Sequence, residues 1–138
     1  MRLKLGDLDI ISIDSANAGD AYLYNLDAYV EQYNVSPKLS HSGNPASLAL
    51  NPLRMRQWAG DPRAFLKFVV SEPADVDEVL FLQRAHGFPS AKVYLMPEGT
   101  DSETLRARLE WLAPLAAAHG FRVSDRLHIH LYGDTRGT

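Results

Sequence analysis

Four places in the sequence combine residue types that can do chemistry. Asn34-Val35-Ser36-Pro37-Lys38 sets a hydroxyl and an ammonium where an extended stretch stops at proline. Such a pair can bind a carboxylate, a ribose or a phosphate, and it equally fits an ordinary strand end with a solvated lysine. Lys67 interrupts the otherwise apolar run Phe65-Leu66-Lys67-Phe68-Val69-Val70. An ammonium buried there is costly unless an acid pairs with it, whereas a half-buried strand would let it snorkel to water. Glu98 stands in the loop that follows Val93-Tyr94-Leu95-Met96-Pro97. Its carboxylate can accept hydrogen bonds from a ligand or act as a capping or surface acid. His128 and His130 alternate, so on a strand they would share a face and could supply metal ligands or an acid–base group. No further ligand stands at a matching spacing, so His130 fits a structural role better.

Elements must end where these residues stand if the residues are to act together. Apolar residues between Leu3 and Ile13 predict one or two short strands, followed by a loop over 14–20 and a short helix from residue 26. A strand is predicted over 32–36, stopped by Pro37, with a polar loop over 39–45. Asn51-Pro52 reads as an N-cap and first helical residue, with the helix ending near Trp58 and Gly60. The run 65–70 predicts a strand buried on both faces. A helix over 74–85 closes at Gly87. A strand over 92–95 leads to Pro97 and a loop in which Gly99 allows backbone angles closed to other residues. Thr100 and Glu103 form a capping box for a helix over 101–119, with Leu105, Leu109, Leu112 and Leu115 on one stripe. Pro114 should kink that helix and Gly120 should end it. A last strand is predicted over 127–131, with a polar tail over 132–138.

Strands alternating with helices predict an α/β fold built from parallel βαβ units with right-handed crossovers. Ligands in such folds bind at the C-terminal edge of the sheet, where Ser36, Lys38 and Glu98 fall. The 138 residues suit a single domain, 1–138, able to bury a core without staples. A net charge of −3 without blocks of like charge argues against a general nucleic-acid binder. No apolar run reaches the length of a membrane span, and residues 1–7 are too short and charged for a signal peptide, so a cytoplasmic location is expected. There is no cysteine, which removes disulfides, cysteine nucleophiles and thiolate-held clusters from this chain. Phosphate-loop, dinucleotide, nucleophile-elbow and H-E-x-x-H signatures are absent from the sequence.

Three segments taken in order carry a resemblance. They are 34–45 (Asn-Val-Ser-Pro-Lys-Leu-Ser-His-Ser-Gly-Asn-Pro), 93–100 (Val-Tyr-Leu-Met-Pro-Glu-Gly-Thr) and 124–137 (Ser-Asp-Arg-Leu-His-Ile-His-Leu-Tyr-Gly-Asp-Thr-Arg-Gly). Together they resemble the C-terminal half of 7-carboxy-7-deazaguanine synthase, a radical S-adenosylmethionine family, from about residue 31 onward. The resemblance implies a partial (β/α) barrel with mostly parallel strands. It also implies ring contraction of 6-carboxytetrahydropterin with loss of ammonia, a step towards queuosine, driven by a cluster-bound S-adenosylmethionine and assisted by magnesium. By the matched motifs, Ser36, Lys38, Met96, Pro97 and Glu98 would line the S-adenosylmethionine site. His128 would contact substrate, and the tail ending at Thr138 would fold back beside it. The family's cluster sits on three cysteines in its N-terminal part, and this sequence has none. An iron–sulfur cluster and magnesium would therefore need ligands from a partner chain. The resemblance implies a fragment or split subunit, inactive alone, that completes a pterin site with an N-terminal partner or pairs with itself through an open sheet edge. A non-catalytic module that binds a nucleoside, a pterin or a protein, and a truncated product without a function of its own, are the alternatives.

Overall fold

The computed structural model describes residues 10–14, 31–43 and 52–137. Five strands form one sheet: β1 (Ile10–Asp14), β2 (Gln32–Ser36), β3 (Ala64–Val70), β4 (Val93–Pro97) and β5 (Arg122–Val123). They lie in sequence order and every pairing is parallel. Three helices alternate with the later strands: α1 (Pro52–Ala59), α2 (Pro73–His86) and α3 (Ser102–Ala118). A short helix, α4 (Leu127–Tyr132), follows β5. A sheet whose order never reverses is singly wound, so right-handed crossovers bring successive helices to the same face. The result is an open arc of (β/α) barrel type, as expected.

Burial along the strands follows from this winding. On β2, β3 and β4 every second residue is buried: Tyr33 and Val35, then Ala64, Leu66, Phe68 and Val70, then Val93, Leu95 and Pro97. These meet Trp58 of α1, Val76, Val79 and Leu82 of α2, and Leu112 and Ala116 of α3 in one core. Each large apolar side chain so buried contributes roughly 1.5–3 kcal/mol before chain entropy is counted. The Tyr33 ring tilts against Trp58 at 4.8 Å between centroids. The alternate residues face the side without these helices and are only half-buried. The expectation that 65–70 is buried on both faces is therefore corrected: one face of β3 is dry and the other is open.

Two other expectations are corrected. Asp101, not Thr100, caps α3; its carboxylate accepts the Thr104 N–H at 2.8 Å and the Thr104 hydroxyl at 2.8 Å. Both residues can cap, and the one that also engages the Thr104 side chain prevails. Residues 127–131 form a helix rather than a strand. β5 already pairs with β4, and Ser124 N donates to Leu95 O at 2.9 Å, so the chain leaves the sheet before Leu127. A helix then satisfies the backbone internally, without a neighbouring strand. The α3 helix runs through Pro114, and Gly87 and Gly120 close their helices with positive φ. The expected strands before residue 10, the loop over 15–20, the helix from residue 26 and the Asn51 cap lie outside the described residues.

Candidate functional site

The open face of the sheet carries the first cleft. Gln32 and Asn34 of β2, Phe65 and Lys67 of β3, Tyr94 of β4 and Ser124 after β5 line a cavity of about 270 Å³. The placement of the five strand residues follows from the two-residue period of a strand: each of Gln32, Asn34, Phe65, Lys67 and Tyr94 is the alternate of a buried core residue. Gln32 Nε2 donates to Asn34 Oδ1 at 2.8 Å, which fixes both amides along the same edge. The Phe65 and Tyr94 rings tilt together at 6.0 Å. Lys92 Nζ lies 4.8 Å from the Phe65 centroid, and the Arg122 guanidinium 5.6 Å from the Tyr94 centroid. Arg122 Nη1 also donates to the Tyr94 hydroxyl at 3.1 Å. The cleft thus offers aromatic faces, two amides, a hydroxyl and the Lys67 ammonium, a set suited to a flat polar ring bearing negative charge.

A second cavity of about 290 Å³ opens at the C-terminal edge, lined by Pro37, Lys38, Leu39, His41, Ser42 and Val69. It exists because β2 and β3 part. They pair only as far as Val35 with Leu66, while β3 and β4 stay paired to Val70 with Pro97. In the gap His41 Nε2 donates to Val69 O at 3.0 Å. The segment after Lys38 is anchored on α2, where Glu78 accepts from Ser40 N at 3.1 Å and from Ser40 Oγ at 2.8 Å. Asp75, buried to 5% exposure, holds the turn after β3 by accepting from Ser71 N, Ser71 Oγ and Glu72 N. Two further strand ends are tied together across the edge: Arg126 Nη1 donates to Gly99 O at 2.9 Å, and Arg108 Nη1 donates to the carbonyl of Glu98.

The expected site residues divide accordingly. Ser36 ends β2 beside Asp14 of β1, half-buried on the open face. Met96 is half-buried on the same face, beside Val69. Lys38 lines the edge cavity. Pro97 is buried on the helix-covered face and shapes the strand end rather than facing the cleft. Glu98 is exposed, and its carboxylate sits 3.3 Å from Arg108 Nη1. His128 is exposed on α4, away from the strand geometry expected of it. Thr138 lies outside the described residues. His130 fills a structural role: Nδ1 meets Ser102 Oγ at 2.8 Å and Nε2 meets Asp125 Oδ2 at 2.9 Å, pinning α4 to the start of α3. Residue types and spacing did not single out Gln32, Phe65, Tyr94 or Ser124. The signal that would have found the first three is the alternation Gln32-x-Asn34-x-Ser36, Phe65-x-Lys67 and Tyr94-x-Met96 between buried residues.

The donor set can be tested against the groups the resemblance implies. An iron–sulfur cluster does not fit, because the chain has no cysteine. Among the described residues no group of three or more histidines and carboxylates could hold a metal ion. Ser36 ends β2 and Lys38 lines the edge cavity; a hydroxyl and an ammonium are group types that suit a ribose hydroxyl and a carboxylate. Among the described residues no helix is long and apolar enough to cross a membrane.

A singly wound parallel sheet with helices on one face has the form of part of a (β/α) barrel. Curated relatives narrow the class. The chain is 41% identical over 112 residues to a 7-carboxy-7-deazaguanine synthase of Pyrobaculum aerophilum, covering 81% of this chain and 48% of that protein. It is 37% identical over 102 residues to that of Rhodopirellula baltica, covering 74% of this chain and 39% of that protein. To that of Halobacterium salinarum it is 33% identical, covering 81% of this chain and 52% of that protein. The chain belongs to the 7-carboxy-7-deazaguanine synthase family and spans about half the length of the curated relatives it matches. No family model matches the chain.

Proposed function

We propose that this chain supplies one wall of a radical S-adenosylmethionine site that makes 7-carboxy-7-deazaguanine, and that it does not perform the reaction alone. One observation carries the reading: a chain with no cluster ligands has one cleft on the half-buried polar face of its sheet and another at the end of β2. Ser36, Lys38, Met96 and Glu98 border the S-adenosylmethionine side, with Pro97 fixing the strand end between the last two. The cofactor, when bound to a cluster, supplies the hydrogen-abstracting radical; this chain's part is to hold and orient, and to keep water from the reacting ring. The aromatic and amide groups on the open face hold the pterin, and the Lys67 ammonium takes its carboxylate. His128 and the C-terminal tail complete the substrate side in this reading.

The cysteines must come from residues outside these 138. The open side of the arc is the place for them. β5 and α4 expose Val123, Leu127, Leu131 and Tyr132 there, an apolar border suited to a covering segment, a partner chain or a second copy. The test is reconstitution: the chain is mixed with a cysteine-bearing N-terminal half of a relative, loaded with iron and sulfide, and assayed anaerobically with S-adenosylmethionine and 6-carboxytetrahydropterin. Deazaguanine product is expected from the mixture and not from either half. A folded, cluster-loaded mixture that makes none would sink the proposal. A second reading is a module that binds ligand without catalysis, through the aromatic and amide groups of the open-face cleft. Calorimetric titration of the lone chain with S-adenosylmethionine and with 6-carboxypterin separates the two.

A further inference from the structure

Tyr94 stands at the centre of a group of cations on the open face of the sheet. The strand register sets Lys67 beside it on β3 and Arg122 beside it on β5. Lys92, two residues before Tyr94, places its ammonium over the Phe65 ring of the same face. Strands lie about 4.8 Å apart and rise about 3.3 Å per residue, so all three stems leave the backbone within about 7 Å of Tyr94. Among the described residues no acid occupies the open face of β2, β3, β4 or β5. Among the same residues neither Lys92 nor Arg122 pairs with a carboxylate. Their hydrogen bonds go to neutral oxygens, the Pro62 carbonyl and the Tyr94 hydroxyl. Like charges gathered on one face repel, and a bound anion relieves that repulsion. The carboxylate assigned to Lys67 above leaves the two cations at the start of β4 and β5 unused.

We propose that Lys92 and Arg122 form a phosphate seat at the N-terminal rim of the open face, and that the cleft beside it binds an aromatic mononucleotide. The inference rests on the reading of that cleft as a site for a flat polar ring. Two cations on either side of one tyrosine suit a dianion better than a carboxylate. A phosphomonoester carries close to two negative charges at neutral pH. The Arg122 guanidinium can grip two of its oxygens as a planar fork, and the Lys92 ammonium meets the third as a point charge. Both cations are held before a ligand arrives. The Tyr94 hydroxyl accepts from Arg122 at 3.1 Å, and Lys92 Nζ lies 4.8 Å from the Phe65 centroid. Less ordering on binding means more of the interaction appears as affinity. The base then lies in the cleft, where Gln32 and Asn34 supply amides for its edge. Those amides are the groups that face the pterin, so nucleotide and pterin exclude each other and the nucleotide acts as a competitive regulator.

Calorimetric titration of the intact chain in phosphate-free buffer tests it, with AMP, GMP, their nucleosides, inorganic phosphate and 6-carboxypterin as probes. At least one nucleotide is expected to bind about tenfold or more tightly than its nucleoside and than inorganic phosphate, because only the nucleotide engages both rim and cleft. Lys92→Met and Arg122→Met should each lower nucleotide affinity about tenfold, leave nucleoside affinity unchanged and keep the far-ultraviolet dichroism spectrum of the wild type. Saturating nucleotide should abolish the heat of 6-carboxypterin binding. The proposal is overturned by a chain that binds neither nucleotide up to about 1 mM, by nucleosides or inorganic phosphate that bind as tightly as nucleotides, or by nucleotide affinity indifferent to both substitutions. The pterin reading fails separately. A chain that binds 6-carboxypterin and no nucleotide loses only this inference, and one that binds nucleotide through Lys92 and Arg122 but no 6-carboxypterin loses only that reading.

Discussion

Lys67 occupies the middle of β3 at the one kind of position a strand gives a cation without burying it: an alternate residue on the open face. It lies beside Tyr94 in the strand register, and it is the cationic residue among those that line the cleft. A charged hydrogen bond in a half-desolvated cleft is worth about 1.5–3 kcal/mol, or roughly tenfold to hundredfold in affinity. Lys67→Met should therefore weaken binding of 6-carboxypterin by that factor; calorimetry alongside a thermal melt separates lost binding from lost folding. An affinity unchanged by the substitution would remove Lys67 from the site. At this scale the sequence was partly legible. Ser36 and Lys38 stood out because a hydroxyl and an ammonium stand at a strand end; of the two, Lys38 lines the edge cavity, and Ser36 ends β2. The two readings of Lys67 stayed open because a single apolar run does not tell which face meets helices. His128 and His130 misled because Leu127-x-Ile129-x-Leu131 has the period of a strand; only the neighbouring β5 decides that no partner remains for it.

The helices show where local signals suffice. Pro73 at the start and Gly87 at the end of α2, and Gly120 after α3, act through backbone geometry alone, so their effect needs no tertiary partner. Capping of α3 was legible to within a residue, since Thr100 and Asp101 can both cap and the geometry chooses Asp101. Asp101 is held below the usual carboxylate range by the Thr104 backbone N–H and then its hydroxyl. That cap strengthens α3 above the ordinary carboxylate pKa and is lost as pH falls through the lowered one. His86, at the end of α2, behaves in a way no helix-end rule would foresee. The helix C-terminus favours its charged form, yet burial and then the nearby Arg56 of α1 lower its pKa from 6.5. The folded state thus prefers neutral His86 and the unfolded state binds the proton more readily. Stability should rise with pH between the lowered value and about 6.5. His86→Gln should flatten that part of the profile in urea melts at stepped pH; a slope unaltered by the substitution would assign it to other groups.

The whole molecule is an arc with a dry side and a wet side, and its chemistry follows from that division. Because the chain has no cysteine, incubation with iron and sulfide under anaerobic conditions should leave it without the brown absorbance of a thiolate-held cluster. A stable cluster on the lone chain would overturn the assignment of the missing ligands to other residues. The sequence by itself determined the alternation of strands and helices, the strand ends at Ser36 and Pro97, the absence of cluster ligands and the family. Those depend on short-range geometry, composition or motif. Tertiary structure alone decided three further matters. It determined that β2, β3 and β4 bury only one face, and that β2 parts from β3 beyond Leu66 to open the edge cavity. It also determined that Leu127 to Tyr132 leaves the sheet as a helix. Each depends on which segments become neighbours, and a residue pattern with period two fixes the two faces of a strand without saying what will cover either.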